Sequence, residues 1–253
     1  MKWSDWRRHF ELNRQRALPG GLEHLEEVPE AWRRTLGVSL ATFQLGEAGE
    51  GRIAHEIDSA RLPGIDADYR AALKLFVAEE GRHARILGFM VRGLGGKLLG
   101  RNWTERLFVF ARRLLGLRLK LMVLLVAEVV GGAFYGLLAS RLPEGAMRRA
   151  LEQICADEEH HLDFHGDFFA RQGFGVVGRA LWQATWWSLA LAAMAVVMMD
   201  HRRTLRTMGI PMAEAVRAFL GLTREAASHL PLLSSSRLRE LPVLNGAGAP
   251  PRP

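Results

Sequence analysis

The sequence predicts an all-α protein, an antiparallel four-helix bundle followed by extra C-terminal helices. Alternating runs of β-branched residues, which indicate strands, are missing, whereas Leu, Ala, Arg and Glu dominate the chain and favour helix. Four long stretches of this composition are separated by breakers that contain Gly and Pro. Long helices with such connections pack side by side as an antiparallel bundle.

The four helices of the predicted bundle lie within residues 29–173. Pro29 begins the first helix, Asp66 caps the second, and Gly173 follows the last. The link between the second and third helices is longer than the other connections. The predicted helices span 29–60, 66–93, 104–140 and 144–172.

Segments on both sides of the bundle complete the predicted organisation. Residues 1–28 form an N-terminal helical arm, with Trp3, Trp6 and Phe10 at helical spacing. Such an arm either packs on the body of the protein or anchors in a membrane interface. The remaining segments are C-terminal helices over 174–241, with an amphipathic helix at 211–229, and a disordered tail over 242–253.

The segment 180–199 is apolar, with 20 residues and no formal charge. Its length would span a bilayer, and its three tryptophans are typical of a membrane interface. Two interpretations remain open: a fully buried helix packed on the bundle, and a helix that rests on or enters a membrane. We expect a soluble protein with peripheral membrane affinity, because the segment is only moderately apolar and Arg179 and Arg202 bound it closely.

Composition restricts the classes of function. The chain has 253 residues, 49% of them hydrophobic, which is enough for a large core. Its only cysteine, Cys155, excludes an intramolecular disulfide framework and a cysteine-based zinc cage, and suits a cytoplasmic protein. The formal charge of +7 favours phosphates, anionic lipid or acidic proteins as partners. Because the sequence has no long Lys/Arg block, nucleic acid is not expected as a partner.

The two halves of the predicted bundle resemble each other. Glu47 in the first helix corresponds to Glu128 in the third. Each is followed by an Arg-Leu-Pro sequence, 14 residues later in the first half and 13 in the second, and then by an acid-Glu-x-x-His sequence. The chain therefore looks like one helix pair used twice. The repeated segments are 61–63 with 141–143, and 78–83 with 156–161.

This repeat predicts a dinuclear metal site. In each half a glutamate and a histidine stand three residues apart, so that both side chains lie on one helix face. Each half adds a glutamate from the preceding helix. Four carboxylates and two imidazoles suit two iron or manganese ions, or one of each, and two cations offset the repulsion between four buried acids. The predicted ligands, and through them the catalytic residues, are Glu47, Glu80, His83, Glu128, Glu158 and His161.

Neighbouring polar residues are expected to support these ligands. Glu50 lies on the same helix face as Glu47, but only Glu47 has a glutamate as its counterpart in the repeat, so Glu50 becomes a group behind the ligands or a mobile extra ligand. Glu79 and Asp157 are either solvated charges or carboxylates that each hold the histidine of the opposite motif. The histidines expected at the surface or in helix packing are His160 and His165.

These motifs resemble those of the ferritin-like di-iron carboxylate superfamily, which includes rubrerythrins, acyl-carrier-protein desaturases, arylamine oxygenases and di-iron hydroxylases. Residues 79–83 and 156–161 are similar to the acid-Glu-x-x-His motifs of the soluble desaturases. Residues 46–53 instead resemble the first metal helix of the demethoxyubiquinone hydroxylases. The likeness covers residues 30–172 and implies a ferritin-like bundle in which the six predicted residues bind two iron ions.

The sequence departs from the family pattern in the third helix. Some oxygenases and desaturases have a threonine about one turn after the glutamate of this helix, near the oxygen site. Here Gly131 and Gly132 follow Glu128 instead, which argues against a desaturase-type proton relay. The glycines either leave room beside the metal for oxygen or an acyl chain, or they allow close helix packing.

Three functions remain open. The first, which we favour, is an oxidase, hydroxylase or desaturase that activates oxygen and acts on an apolar or acyl substrate. The second is a rubrerythrin- or ferritin-like protein that oxidises iron or reduces peroxide, and the third is a non-enzymatic membrane-associated bundle. Further expected partners are an acidic electron donor or carrier protein, a membrane surface, and a second copy of the chain in a homodimer.

Overall fold

A computed structural model describes residues 1–49, 53–100 and 116–229, and all regular secondary structure there is helical, with no strand. The all-α prediction is therefore confirmed. The helices are α1 (Trp3–Arg14), α2 (Glu30–Glu47), α3 (Ile53–Ser59), α4 (Ala67–Gly93), α5 (Leu117–Arg141), α6 (Ala146–Ala170), α7 (Val176–Asp200), α8 (Arg202–Thr207) and α9 (Met212–His229).

Two helix pairs form the centre of the molecule. Helix α2 packs on α4, and α5 packs on α6. Contacts between α4 and α6 join the two pairs, and α9 packs against α5, α6 and α7. One apolar cluster runs through all of these elements, so the protein is a helical bundle with a continuous core.

The predicted first helix, 29–60, is wrong as one continuous element. Helix α2 ends at Glu47, and α3 begins at Ile53. Between them the N–H of Gly49 donates to the carbonyl of Gly46 at 2.9 Å, which closes a turn. Glycine in a helix costs about 1 kcal/mol relative to alanine, so a stretch with several glycines favours such a break. The interruption leaves Glu47 at a helix end.

Other predicted boundaries agree closely with the structure. Asp66 caps α4, because its carboxylate accepts a hydrogen bond from the Tyr69 N–H at 2.8 Å. Gly173, with a φ of 64°, follows the end of α6, as the left-handed conformation of glycine permits. The described part of the third helix begins at Leu117, after Gly116, and its predicted start over 104–115 lies outside the described residues.

The N-terminal arm packs on the body of the protein. Helix α1 lies against α4, and Trp3, Trp6 and Phe10 are buried. The Trp6 indole N–H donates to Asp167 at 2.7 Å, and the rings of Trp3 and Tyr69 lie 4.7 Å apart. Since these aromatic side chains are enclosed by protein, the packed arm is the correct alternative and the interfacial anchor is wrong.

Two described helices, α5 and α7, are long and apolar enough to cross a membrane. They differ in burial: 83% of the most apolar stretch of α5 is buried in the protein, but only 28% of that of α7. The fully buried alternative for 180–199 is therefore wrong. The predicted amphipathic helix is confirmed as α9, and the predicted tail over 242–253 lies outside the described residues.

Candidate metal centre

A cluster of two glutamates and two histidines lies buried between α4 and α6. Glu80 and His83 come from α4, and Glu158 and His161 come from α6. All four side chains are buried, and their potential ligand atoms lie within 4.8 Å of one another. The three-residue spacing on each helix brings each pair to one face, and the contact between the helices brings the two faces together. The cluster could therefore hold a metal ion.

Both histidines direct the same ring nitrogen into the cluster. The Nδ1 atom of His161 lies 3.0 Å from Glu80 Oε1 and 3.3 Å from Glu128 Oε2. The Nδ1 atom of His83 lies 3.3 Å from Glu158 Oε1. Each imidazole is thus in contact with the glutamate of the opposite motif, and the two motifs cross.

The other ring nitrogens contact the acids that precede the glutamates. His83 Nε2 lies 3.2 Å from Asp157, and His161 Nε2 lies 3.2 Å from Glu79. These are the cross-motif contacts expected from the sequence. An Nε2–H that donates to a carboxylate leaves the lone pair of the neutral ring on Nδ1, which is the nitrogen that faces the cluster. A supporting role beside a metal stays a prediction for Asp157 and Glu79.

Two arginines lie over these acids. Arg16, which follows α1, forms ion pairs with Asp157 and Glu79, and Arg82 Nη1 lies 3.4 Å from Asp157. Burial raises the pKa of Asp157, but hydrogen bonds from His83 and Arg16 outweigh burial and lower it. Asp157 is therefore held ionised opposite His83. Sequence reasoning missed both arginines, although Arg82 lies within the motif itself.

The remaining two predicted glutamates lie beside this cluster. Glu128 is buried on α5 and hydrogen-bonds with Glu158. Glu47 is half-buried at the end of α2 and hydrogen-bonds with Glu80. Burial, followed by the charges of neighbouring carboxylates, raises the pKa of both Glu47 and Glu128 well above the usual range. The structure thus brings all six predicted residues to one place, while their roles as ligands stay predictions.

Tyr135 is a further polar residue at the cluster that the sequence analysis missed. Its hydroxyl is buried and donates a hydrogen bond to Glu47 Oε1 at 2.6 Å. Burial and the charge of Glu47 raise the pKa of Tyr135 well above its usual value, so the hydroxyl keeps its proton. The signal was its position seven residues after Glu128, which is the same face of α5.

The glycines of α5 allow close packing. A Cβ at Gly131 would lie 3.2 Å from the ring of Tyr135, and one at Gly132 would lie 3.2 Å from Leu222 and 3.6 Å from Glu158. The space beside both glycines is therefore filled by side chains. Of the two alternatives for these residues, close packing is correct, and free room for an acyl chain at these positions is wrong.

The chemistry of the cluster suits divalent cations. Charged neighbours surround Glu80 Oε1, Glu158 Oε2 and His83 Nδ1, yet within the described residues none of these buried atoms makes a well-aligned hydrogen bond. Buried polar atoms are normally satisfied, so each is in position to bind another partner. Carboxylate oxygens with imidazole nitrogen are typical ligands of iron and manganese, and bound cations would displace the protons that crowding retains on Glu47 and Glu128.

The other residues considered from the sequence lie beside the cluster, at the surface or outside the described ranges. His160 is exposed and stacks on His9, with ring centroids 4.4 Å apart. His165 is buried against Phe76, and burial lowers its pKa to about 3, so that it packs as a neutral ring. Both fit the predicted surface and packing roles. Glu50 lies outside the described residues.

Comparisons with protein-family models, curated proteins and solved structures find no match for this chain. The class of site is therefore defined by its own geometry. It is a buried Glu/His cluster inside an all-α bundle. Each imidazole is fixed between a carboxylate of the cluster and one of two outer acids, Asp157 and Glu79.

Proposed function

We propose that the chain is a ferritin-like di-iron carboxylate protein that activates oxygen as an oxidoreductase. The observation that carries the proposal is the crossed pair of Glu-x-x-His motifs, with both Nδ1 atoms facing inward and both Nε2 atoms on the outer acids. Four helices, α2, α4, α5 and α6, each bring a carboxylate to the cluster. That distribution is characteristic of ferritin-like metal bundles.

The residues divide the work of holding such a centre. The six side chains offer four carboxylates and two imidazoles, which suit two iron ions and also accept manganese or one ion of each kind. When bound, two ferrous ions supply electrons for the reduction of oxygen. Asp157 and Glu79 orient the imidazoles, and Tyr135 fixes one oxygen of Glu47.

Aromatic side chains cover the cluster on the side of His161. The ring of Phe76 lies 4.7 Å from that of His161, and the ring of Phe10 lies 6.0 Å from it. Both aromatic residues are buried. A dry site strengthens the electrostatic interactions of the carboxylates with a cation and protects reactive species from side reactions.

Two candidates remain for the molecule that is oxidised or reduced. Oxidation of an apolar or acyl substrate is the first, and it needs space for a carbon chain beside the cluster. The packing at Gly131 and Gly132 favours the second, a rubrerythrin- or ferritin-like oxidation of iron or reduction of peroxide, because both reactants are small. The same ligand set serves both reactions.

The test compares two adjacent glutamates on α6. Glu158 is buried in the cluster, and Glu159 is exposed. Metal-free protein is titrated anaerobically with ferrous iron, and then oxygen uptake is measured with and without hydrogen peroxide. The wild type and Glu159→Ala should bind about two iron ions, while Glu158→Ala should bind fewer than one.

The outcomes separate the proposal from its alternatives. Full iron loading of Glu158→Ala would overturn the site, and iron-loaded protein that consumes oxygen no faster than free iron would overturn the oxidoreductase. Iron-dependent removal of peroxide without an organic substrate identifies the rubrerythrin-like candidate. Oxygen uptake that requires an added fatty acyl compound identifies the first candidate.

A further inference from the structure

Three arginines near the C-terminal end of α7, one on α2 and two on α8, have no partner within the described ranges. Arg34, Arg202 and Arg203 line an open cavity of about 750 Å³. All three are exposed, and no ion pair or hydrogen bond joins them to the described part of the chain. Some other surface arginines, such as Arg148, are paired with acids. The cavity therefore concentrates positive charge that no ion pair within the described residues neutralises.

The floor of this cavity is fixed by a network of hydrogen bonds. The hydroxyls of Ser39 and Thr204 lie 2.6 Å apart, and Thr204 donates to the carbonyl of Thr35 at 2.9 Å. His201 Nδ1 contacts Ser39 Oγ at 2.9 Å. Among the described residues of the lining, Asp200 alone carries a carboxylate, and it lies 3.9 Å from His201 Nε2. Three guanidinium groups against one carboxylate suit a phosphate group.

An uncharged stripe on the exposed side of α7 leads into the cavity. Its members are spaced three or four residues apart, so they share one helix face, and none carries a charge. At 1.5 Å per residue the stripe is about 33 Å long. The α7 stripe consists of Val177, Leu181, Ala184, Ser188, Leu191, Ala195 and Met199.

Met199 joins the two features, because it ends the α7 stripe and also lines the cavity. A helix on the surface of a soluble bundle normally presents charged residues to water, whereas this stripe presents apolar ones. An apolar face that ends in basic residues is the arrangement of helices that lie in a membrane interface. The apolar side chains contact acyl chains, and the arginines contact anionic headgroups.

We propose that the cavity of Arg34, Arg202 and Arg203 binds the phosphate of an anionic phospholipid while the α7 stripe lies along the membrane interface. Charge complementarity and the continuity through Met199 identify the occupant as a lipid surface. The proposal does not depend on the metal centre, and its test uses the metal-free and the metal-loaded protein alike.

The first arm of the test measures sedimentation of the full chain with lipid vesicles at low salt. Vesicles of phosphatidylcholine alone are compared with vesicles that also contain phosphatidylglycerol. The wild type should bind the anionic vesicles, and Arg202→Gln/Arg203→Gln should lower the partition coefficient about 30-fold. The control Arg8→Gln/Arg149→Gln removes the same charge from exposed residues outside the cavity and should bind nearly as the wild type does.

The second arm tests the α7 stripe with matched leucines. Leu181 and Leu191 are 65% and 44% exposed, and Leu12 and Leu98, which lie outside the stripe, are 61% and 43% exposed. Leu181→Gln/Leu191→Gln should lower the partition coefficient at least about tenfold, because the apolar contact with acyl chains is lost. Leu12→Gln/Leu98→Gln should have little effect. Thermal melting of each variant confirms that the fold is intact.

Other occupants give different results. Absence of wild-type binding to anionic vesicles overturns the proposal, as does an equal loss in the charge-matched control. If inorganic phosphate raises the melting temperature of the wild type alone and no vesicles bind, the ligand is a soluble phosphate compound. If the stripe variants abolish a dimer seen by analytical ultracentrifugation and no vesicles bind, a second copy covers the stripe. Either result overturns the membrane assignment.

Discussion

The two halves of the repeat build the centre of the cluster in the same way and its edges differently. Each half contributes a Glu-x-x-His pair and the acid that precedes its glutamate. The contact of His83 with Asp157 mirrors that of His161 with Glu79 across α4 and α6. The glutamates at the two edges of the cluster, Glu47 and Glu128, are not equivalent. Glu128 is buried in the middle of α5, whereas Glu47 is half-buried at the last position of α2. The repeat therefore places the four residues of the Glu-x-x-His pairs in equivalent positions, but it does not do so for Glu47 and Glu128.

The difference arises in the helices that carry the outer glutamates. Helix α5 is apolar along its length and buried on most sides, so Glu128 is held by the packing around it. Helix α2 stops at Glu47, and the Tyr135 hydroxyl, which belongs to the other half, holds its side chain. Thus the packing of α5 holds Glu128, whereas a hydrogen bond from Tyr135 on another helix holds Glu47.

The largest expected effect tests the equivalence of the two motifs. Metal that binds only the native state should raise the melting temperature, by about 5–10 °C at a hundredfold excess over Kd. Glu80→Ala should abolish this rise as completely as Glu158→Ala does, because the two residues occupy equivalent positions. Differential scanning calorimetry with manganese decides the matter. A rise retained in one variant alone would show that the halves are unequal at the centre as well.

The next prediction concerns Glu47, the glutamate at one edge of the cluster. Glu47→Ala should reduce the bound iron from about two ions to about one, because Glu47 contacts Glu80 in the cluster. Glu50→Ala should keep both ions, since Glu50 has no glutamate counterpart in the repeat. Metal analysis after gel filtration measures the difference. The reverse pattern would mean that the alignment of the repeat is three residues out.

Metal affinity should also rise with pH. Burial lowers the pKa of His83, but its contacts with the carboxylates of Asp157 and Glu158 outweigh burial and raise it to about 9. A cation must displace this proton, so the affinity for manganese should rise about tenfold per pH unit below pH 9 for each proton released. In the metal-free protein, by contrast, the contribution of His83 to the free energy of unfolding falls as the pH rises. The protonated histidine stabilises the fold below about pH 6.5, and that contribution is lost as the pH approaches 9.

Titration calorimetry with manganese at several pH values, together with urea unfolding of the metal-free protein, measures both trends. A pH-independent affinity would show that His83 gives up no proton to the metal. Equal trends in a His83→Gln variant would place the proton on another group of the cluster, such as His161, whose pKa is also raised.

The smallest expected effect is the difference in metal affinity between variants of the two outer acids, Asp157 and Glu79. Replacing a group that orients a metal-bound histidine typically lowers metal affinity 10–100-fold. Asp157→Asn should lie at the upper end of this range, because Asp157 contacts His83 and two arginines, while Glu79→Gln should lie nearer the lower end. The exposed Glu159→Gln serves as the control in competition titrations with a metal indicator. A larger loss in Glu79→Gln would reverse the ranking of the two halves.

The two Glu/His faces at the centre could be predicted from the sequence because helix geometry determines which side chains share a face. A three-residue spacing places a glutamate and a histidine on one face wherever the helix lies, so the two motifs indicated both the cluster and its crossed acids. The contacts of Arg16 and Tyr135 depend on how distant segments dock, and no local periodicity encodes that docking. The break after Glu47 was missed although Gly46, Gly49 and Gly51 favour an interruption of the helix there.

The break after Glu47 also determines where the chain tolerates changes in length. Each residue inserted into a helix rotates everything beyond it by about 100°. An insertion within α5 between Glu128 and Tyr135 would turn one of the two side chains away from the other, and the edge of the cluster would be lost. An insertion in the turn at 48–49 would rotate none of the six cluster residues within its own helix, because α2 has already ended at Glu47. The turn at 48–49 is therefore one place where this architecture can lengthen without redesign of its interior.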